Sequence, residues 1–270
     1  MLAIKSNIMA VNAARHLGNS YDSLASSVER LSSGLRINSA KDDAAGMAVR
    51  ELMRADISVL EQGNRNAQDG ISMLQTMEGA MAVIDDNLIR MKELSEQAAT
   101  GSYSNAQRTI MNAEFGQMAS EIDRIAGDTK FNGIAMLNNT NSVAIHVGSS
   151  TTISVAGSDL TTSTLGVDTG TLDISTAAGA ATALTALTTA ITTKDTARAK
   201  FGYSMNRLES TTSILGIQIE NLQASESRIS DVDVATEMAN MTKNQVLTQA
   251  GVSMLSQANG MPQMALSLLR

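Results

Sequence analysis

Apolar residues recur at alternating intervals of three and four near both ends of the chain, a spacing typical of helices that pack as coiled coils. One such seam runs from Ala3 to Leu35, and another begins at Val234. Each end also carries a second apolar edge, which fits either an ordinary core helix or a helix that other copies of the chain cover. The seam positions that we expect to carry assembly are Leu17, Leu24, Val28, Leu31, Met238, Met241, Val252 and Leu255.

A longer seam occupies the second predicted helix. Asp42 or Asp43 can cap its start, and helical spacing continues to about Ala99. At the rise of an α-helix this segment is roughly 80 Å long, which implies a rod. Glycines inside it each cost up to about 1 kcal/mol relative to alanine, and either a close helix approach or a bend explains them. They are Gly63, Gly70 and Gly79.

The period of the pattern changes after the third predicted helix. A capping box of Ser104 and Gln107 opens that helix, which ends near Gly127. Apolar residues then alternate with polar ones on both sides of Gly148–Thr152, which predicts a β-hairpin. The surrounding segment is rich in serine, threonine and glycine, and we expect it to be solvated.

Helical spacing resumes near Thr176 and continues to Leu222, interrupted by Lys194 and Arg198. The chain therefore goes out along two helices and returns along two of matching length. We predict a mainly α fold, an elongated antiparallel helical bundle or coiled-coil rod with a small β-hairpin and both termini at one end.

Three parts follow from this arrangement. Residues 1–43 and 231–270 form a terminal helix pair, residues 44–138 and 176–230 form a helical rod, and residues 139–175 form the hairpin and a surface loop. A pair only two helices thick is marginal alone, so we expect its folding to depend on other copies. Contacts between different faces of identical copies generate a helical filament unless they close into a ring.

Composition narrows the classes of partner. The 270 residues carry a net charge of −7, which argues against nucleic acid and against an anionic membrane surface. The chain has no cysteine, which excludes disulfides and cysteine chemistry. The stretch after Lys243 is too polar for a membrane span. Residues 1–11 lack the features of a secretory signal, so we expect any export to use another route.

The sequence offers no evident site for chemistry. His16 and His146 are far apart and have no clustered cysteine or carboxylate ligands, so we expect no metal. Paired aspartates such as Asp85–Asp86 are better explained as helix caps or solvated faces than as acid–base pairs. We therefore expect no cofactor and no enzyme activity.

Several long motifs resemble bacterial flagellin. They are LSSGLRINSAKDDAAG at Leu31–Gly46, NRNAQDGIS at Asn64–Ser72, EIDRIAGDTKFNG at Glu121–Gly133, SRISDVDVATEMANMTK at Ser227–Lys243 and QANGMPQMALSLLR at Gln257–Arg270. The resemblance covers residues 1–137 and 197–270 in the family's order and leaves 139–196 unmatched. The short middle is similar to a minimal flagellin without outer domains.

The resemblance implies a secreted subunit that polymerises with itself into the bacterial flagellar filament for motility. It places the terminal helices in an inner tube and the helical rod in an outer tube. It also implies export by the flagellar secretion system without a cleaved signal peptide, an export chaperone on the last helix, and contacts with filament cap and hook-junction proteins. Two alternatives are a flagellin-like hook–filament junction protein and a cytoplasmic signalling coiled coil.

The resemblance further implies a site for the innate immune receptor Toll-like receptor 5. The family's arginine, leucine and glutamate align with Arg90, Leu94 and Glu114. Two neighbours depart from the family pattern, since Ile89 stands where many members have a polar residue and Ser95–Glu96 replaces an apolar pair. The alternative is that these residues serve lateral contacts and the solvated face of the rod.

Overall fold

The computed structural model of the protein describes residues 7–267, and most of them are helical. Backbone contacts divide the chain into a terminal unit, Met1–Ile57 with Glu220–Arg270, and a central unit, Ser58–Ile219. The predicted mainly α class with a small β-hairpin is confirmed. The predicted helical start at Ala3 lies outside the described residues. The rod shape and the domain limits at residues 43 and 231 stay predictions.

Ten elements follow one another within the described part of the chain. They are α1 (Ile8–Ser33), α2 (Ala44–Ala99), α3 (Asn105–Asp128), β1 (Lys130–Phe131), β2 (Ile134–Ala135), β3 (Ser142–His146), β4 (Thr152–Ala156), α4 (Thr162–Leu165), α5 (Ala177–Ser230) and α6 (Val234–Ser267). The antiparallel pair β1–β2 and the short α4 have no counterpart in the sequence analysis. Between residues 7 and 267, no helix combines the length and apolarity that crossing a bilayer requires.

Local capping explains where the helices begin and end. Asp43 caps α2 by accepting a hydrogen bond from the Gly46 N–H at 2.9 Å. The predicted capping box of Ser104 and Gln107 is present at the start of α3. Gly34 ends α1 in the left-handed conformation, with a φ of 72°, which suits glycine.

Helices α2 and α5 run antiparallel in the central unit. Arg198 Nη2 donates a hydrogen bond to Glu78 Oε1 at 3.0 Å, and Lys194 Nζ lies 2.6 Å from Asp85 Oδ1. Residue numbers on α5 therefore decrease as those on α2 increase. Unbranched and aliphatic side chains fill the seam, which suits a core with few aromatic rings. The residues of α2 with no exposed surface include Met77, Met81, Ile84, Leu88 and Met91.

Lys194 belongs to this seam and does not interrupt it, which corrects the sequence expectation. The residue is 1% exposed, and its ammonium lies 2.6 Å from Asp85 Oδ1 and 2.7 Å from Asp195 Oδ1. The long aliphatic stem of a lysine packs like an apolar side chain, while two carboxylates compensate the buried charge. A hydrophobic pattern cannot detect such a residue because it counts every lysine as polar.

Helix α3 packs back along the end of α2. The buried Arg108 donates from Nε to the Ala98 carbonyl at 2.7 Å and from Nη2 to the Thr100 carbonyl at 3.0 Å. The last carbonyls of a helix have no partner within the helix, and a positive charge near them is favourable. Arg108 therefore stabilises the end of α2 while Phe115 of α3 is fully buried in the core.

The predicted β-hairpin is confirmed. Strands β3 and β4 pair in antiparallel register, with Ile145 opposite Ile153. Both isoleucines point their side chains into the core of the central unit, with exposures of 7% and 3%. The alternation of buried and exposed residues matches the period of a strand with one covered face.

The hairpin accounts for two of the three glycines in α2. A Cβ on Gly63 would lie 2.7 Å from the carbonyl carbon of Val147, and a Cβ on Gly70 would collide with Ile145 Cδ1. Close approach of the hairpin therefore explains Gly63, and at Gly70 Leu208 of α5 approaches as well, at 3.3 Å from the position of a Cβ. A Cβ on Gly79 would have nothing within 4 Å, so packing does not require that glycine.

Residues 157–176 are docked on α3, which corrects the expectation of a solvated segment. Thr162 donates its N–H and its hydroxyl to the Asp123 carboxylate at 2.8 and 2.7 Å. The Ile174 N–H donates to Asn112 Oδ1 at 3.0 Å. The apolar residues of the segment join the core of the central unit: Leu160, Leu165, Val167, Leu172 and Ile174.

Replacing Gly63 with alanine should destabilise the central unit, because the new Cβ meets the backbone of Val147. Gly79→Ala is the matched control, since its Cβ meets nothing and alanine should raise the free energy of unfolding by about 1 kcal/mol through helix propensity. Thermal unfolding followed by circular dichroism compares the two variants. Equal melting temperatures for G63A and G79A would contradict the close contact at the hairpin.

Candidate assembly surface

The first and last helices of the chain pair within the terminal unit. Asn7 Nδ2 donates to the Ala258 carbonyl at 2.7 Å, and Leu17 Cδ1 lies 3.0 Å from the position of a Cβ on Gly251. The start of α1 therefore meets the end of α6, and the two helices run antiparallel.

Small and polar side chains occupy much of the seam between α1 and α6. Ser27 is 4% exposed, and Thr248 and Glu237 are each 7% exposed. Arg30 Nη1 lies 3.8 Å from Glu237 Oε2, so the buried carboxylate has a charged partner. Burying hydroxyls and small residues such as Gly251 contributes less hydrophobic free energy than burying leucine. The pair is therefore weakly stabilised by its own contacts.

Large apolar side chains of both helices face solvent instead. On α1 they are Ile8, Met9, Val11, Tyr21 and Val28; on α6 they are Val234, Met238, Val246, Leu247, Val252 and Met254. Their exposures range from 44% to 68%. Extended apolar surface on a soluble protein generally marks an interaction site.

The residues that the sequence predicted for assembly fall into two sets. The half-buried set consists of Leu17, Leu24, Leu31, Met241 and Leu255. The exposed set consists of Val28 at 50%, Met238 at 44% and Val252 at 49%. The first set packs within the chain, and the second is available to another molecule. Their role in assembly stays a prediction.

A groove of about 570 Å³ runs between the two helices. Helix α1 contributes Ala13, His16 and Ser20, and α6 contributes Leu247 and Met254. Ala13 and Ser20 leave room on the α1 wall, and the exposed Leu247 and Met254 line the α6 wall, so the groove is a recess that an apolar side chain of another molecule can enter.

The predicted receptor residues lie in the central unit. Arg90 donates from Nη2 to Glu114 Oε1 at 2.8 Å and from Nη1 to Glu93 Oε2 at 3.0 Å. The hydrogen bond to Glu114 raises the pKa of Arg90 above its usual range, so the pair stays charged. Leu94 is only 2% exposed, so it supports the surface from beneath while Arg90 and Glu114 are accessible.

Metal-binding groups are not assembled in the part of the chain that the structure describes. His16 lines the groove on α1, and His146 lies on β3. Among the described residues, no cluster of three or more histidine, cysteine, aspartate or glutamate side chains is placed to hold an ion.

Asp233 caps α6, the helix with the most exposed apolar residues. Its carboxylate accepts hydrogen bonds from the Thr236 hydroxyl at 2.7 Å and from the Ala235 N–H at 3.0 Å. The bond from the Thr236 hydroxyl, followed by those from the Thr236 and Ala235 N–H groups, lowers the pKa of Asp233 below its ordinary value. The charged form of Asp233 therefore stabilises the start of the helix.

Two family models match the chain. The bacterial flagellin N-terminal helical region matches residues 4–142, and the bacterial flagellin C-terminal helical region matches residues 184–269. The matched residues include α1, α2, α3, β1 and β2 in the first region and α6 in the second.

Individual flagellar proteins are also similar to this chain, two of them over its full length. The chain is 42% identical to the flagellar filament 33 kDa core protein of Treponema phagedenis and 40% identical to a flagellin of Halalkalibacterium halodurans, with all of both chains covered in each case. The crystal structure of Bacillus cereus flagellin is 35% identical, with a TM-score of 0.50, and covers 56% of this chain and 88% of its own.

Acid should loosen the start of α6. Because folding lowers the pKa of Asp233, its contribution to stability is complete above the ordinary value of 3.8 and is lost as the pH falls through the lower value of the folded state. The protection of the Ala235 and Thr236 amides against exchange, relative to an unfolded peptide at the same pH, should therefore fall below pH 3.8. Asp233→Asn keeps an oxygen acceptor without the titration, so the same pH dependence in D233N would contradict the assignment.

Proposed function

Because the chain belongs to the bacterial flagellin family, we propose that it assembles through the α1–α6 pair and that its terminal helices become fully ordered only when other copies cover them. As a flagellin it is a structural subunit of the flagellar filament and not an enzyme. The full-length relatives are named as flagellins and filament core proteins, which favours this function over a hook–filament junction protein or a signalling coiled coil.

The exposed apolar surface of the pair is the observation that supports the proposal. Tyr21 and Val28 on α1 are 51% and 50% exposed, and Val246 and Met254 on α6 are 59% and 65% exposed. Complete burial of a side chain of this size is worth about 1.5–3 kcal/mol. A few such residues covered by a neighbour offset the weak contacts within the pair and favour the assembled state.

The contacts between copies are heterologous in this proposal. The exposed apolar residues of α1, such as Val28, form a surface, whereas the groove between α1 and α6 that Leu247 and Met254 line is a recess, so one face of a copy meets a different face of the next. Contacts of that kind continue without limit unless rotation closes them into a ring, which is how a helical filament grows.

We assign the parts of the filament accordingly. Residues 1–43 and 231–270 form the inner tube, residues 44–138 and 176–230 form the outer tube, and residues 139–175 lie on its surface. The packed core of the central unit supports this assignment, because that unit buries its apolar residues without another copy. The terminal pair leaves its large residues exposed and suits the position with most neighbours.

Export and its partners follow from the same surface. A chain whose ends are weakly packed can travel unfolded through the flagellar secretion system to the outside of the cell. The exposed residues Val246, Leu247 and Met254 of α6 need a cover before export, which an export chaperone provides. The filament cap and the hook-junction proteins meet the subunit at the two ends of the filament.

Val28→Ser should impair filament growth without changing the fold of the monomer. Val28 is 50% exposed, and the lost apolar area should raise the critical concentration about three- to ten-fold. Sedimentation of filaments grown from preformed seeds measures that concentration.

Val83→Ser is the matched control, because Val83 is 49% exposed but lies on α2 in the central unit. The critical concentration of V83S should stay within about two-fold of the original, because the substitution lies outside the terminal pair. An unchanged critical concentration for V28S would argue against assembly through this face of α1.

We further propose that the accessible Arg90–Glu114 pair contacts Toll-like receptor 5. A charged side chain held in one orientation by a carboxylate at 2.8 Å is pre-organised for a partner's hydrogen-bonding groups. The lateral-contact alternative uses the same residues in the filament, in which case only the monomer engages the receptor.

Arg90→Ala should weaken the receptor response of purified monomer. Loss of one charged hydrogen-bonding group should raise the half-maximal concentration about ten-fold in a cell reporter assay. Arg124→Ala is the matched control, since Arg124 is also an exposed arginine of the central unit paired with a glutamate, Glu121, at 2.6 Å. Equal responses to R90A and R124A would exclude the site.

A further inference from the structure

The two connections of the terminal unit are joined by a short antiparallel bridge. One connection links α1 to α2, and the other links α5 to α6. The Arg36 N–H donates to the Ser230 carbonyl at 2.6 Å, and the Val232 N–H donates to the Gly34 carbonyl at 3.1 Å. Leu35 lies opposite Asp231 between these bonds. We call residues 34–37 and 229–232 the junction clasp.

A buried arginine supports the clasp from α2. Arg50 is 7% exposed, and its Nη1 donates to the Ile37 carbonyl at 2.9 Å. Its Nε and Nη2 donate to Glu51 Oε1 at 3.2 and 2.7 Å, which compensates the buried charge. Ile37 is itself 2% exposed, so this end of the clasp is held by packing and by a charged hydrogen bond.

A second arginine holds the other strand. Arg36 Nη2 donates to the Ile229 carbonyl at 2.7 Å, in addition to the bond that its N–H makes with Ser230. Ser230 is 3% exposed, so the connection before α6 is as firmly packed as the one before α2. The clasp is therefore an ordered joint rather than a pair of loose linkers.

We propose that Arg50 is a positioning residue for filament assembly, because it holds the junction clasp and the clasp fixes the register of α1 against α6. The proposal rests on the assembly function described above. Half-buried leucines recur every seven residues on α1, at Leu17, Leu24 and Leu31, so the seam would fit almost as well after a shift of one heptad and needs a device that selects one alignment.

The clasp joins two parts of the chain that are far apart in sequence. With it, α1 ends at Ser33 and α6 begins at Val234, each within three residues of the bridge. Pairing of α1 with α6 then begins from one fixed alignment. The exposed apolar residues of both helices are therefore presented to neighbouring copies at the same axial positions in every subunit.

Removal of the Arg50 donors should open the clasp selectively. In the Arg50→Met variant, amide exchange at Arg36 and Val232 should accelerate about ten-fold or more, because these N–H groups make the bridge. Exchange at Met81 and Leu88, in the core of the central unit, should stay slow and so show that the variant is folded. Elongation of R50M on seeds of the original protein should fall by a similar factor. Arg50→Lys retains a donor, so its amide exchange and its elongation should both lie between those of R50M and those of the original protein.

A disulfide tests whether the clasp, rather than general stability, limits assembly. The chain has no cysteine, so Leu35→Cys with Asp231→Cys adds one unique pair. The two bonds flank this pair, so its Cα atoms should be about 4.5 Å apart, a distance that a disulfide spans. Oxidation of L35C/D231C should restore elongation to R50M, and reduction should remove it.

Two results would overturn the proposal. One is an R50M protein whose Arg36 and Val232 amides exchange as slowly as in the original, and the other is an oxidised triple variant that still elongates slowly. Seeds and original subunits that fail to elongate would instead contradict the assembly function itself, so the two failures are distinguishable.

Discussion

A pair of helices can cover only one side of each member, and the terminal helices of this protein carry apolar residues on more than one side. Their shared seam combines half-buried leucines with serine, threonine, glycine and alanine, whereas other valine, leucine, methionine and tyrosine side chains remain at the surface. The strongest hydrophobic contribution available to the pair is therefore realised only against another molecule. In the proposed assembly, folding of the ends is therefore linked to growth of the filament.

The central unit follows the opposite arrangement. Three long helical segments, a hairpin and the docked segment 157–176 enclose a continuous apolar core, which includes fully buried residues such as Met77 and Phe201. The buried ammonium of Lys194 inside it is paired with the carboxylate of Asp85. We propose that such a unit keeps its structure on assembly, while the terminal unit gains stability from its neighbours.

The sequence predicts the helices, the capping box and the hairpin, because these depend on local spacing and on side chains a few residues apart. It could not assign the faces of α1, since a seam of apolar residues does not show that Val28 faces solvent while the polar Ser27 is buried. Nor could it dock the segment 157–176, because the hydrogen bonds of Thr162 reach Asp123, on a helix distant in sequence. Both misses concern tertiary contacts that a periodic pattern does not encode.

The distribution of methionine has a consequence for chemical ageing. Met77, Met81 and Met91 have no exposed surface, whereas Met9 and Met254 are 63% and 65% exposed. Oxidation turns an accessible methionine into a polar sulfoxide, so oxidants should modify the free subunit on its exposed terminal helices and spare the buried core of its central unit. A neighbour that covers those ends also shields them, and peptide mass spectrometry should find fewer sulfoxides in polymerised protein than in dissolved protein kept equally long.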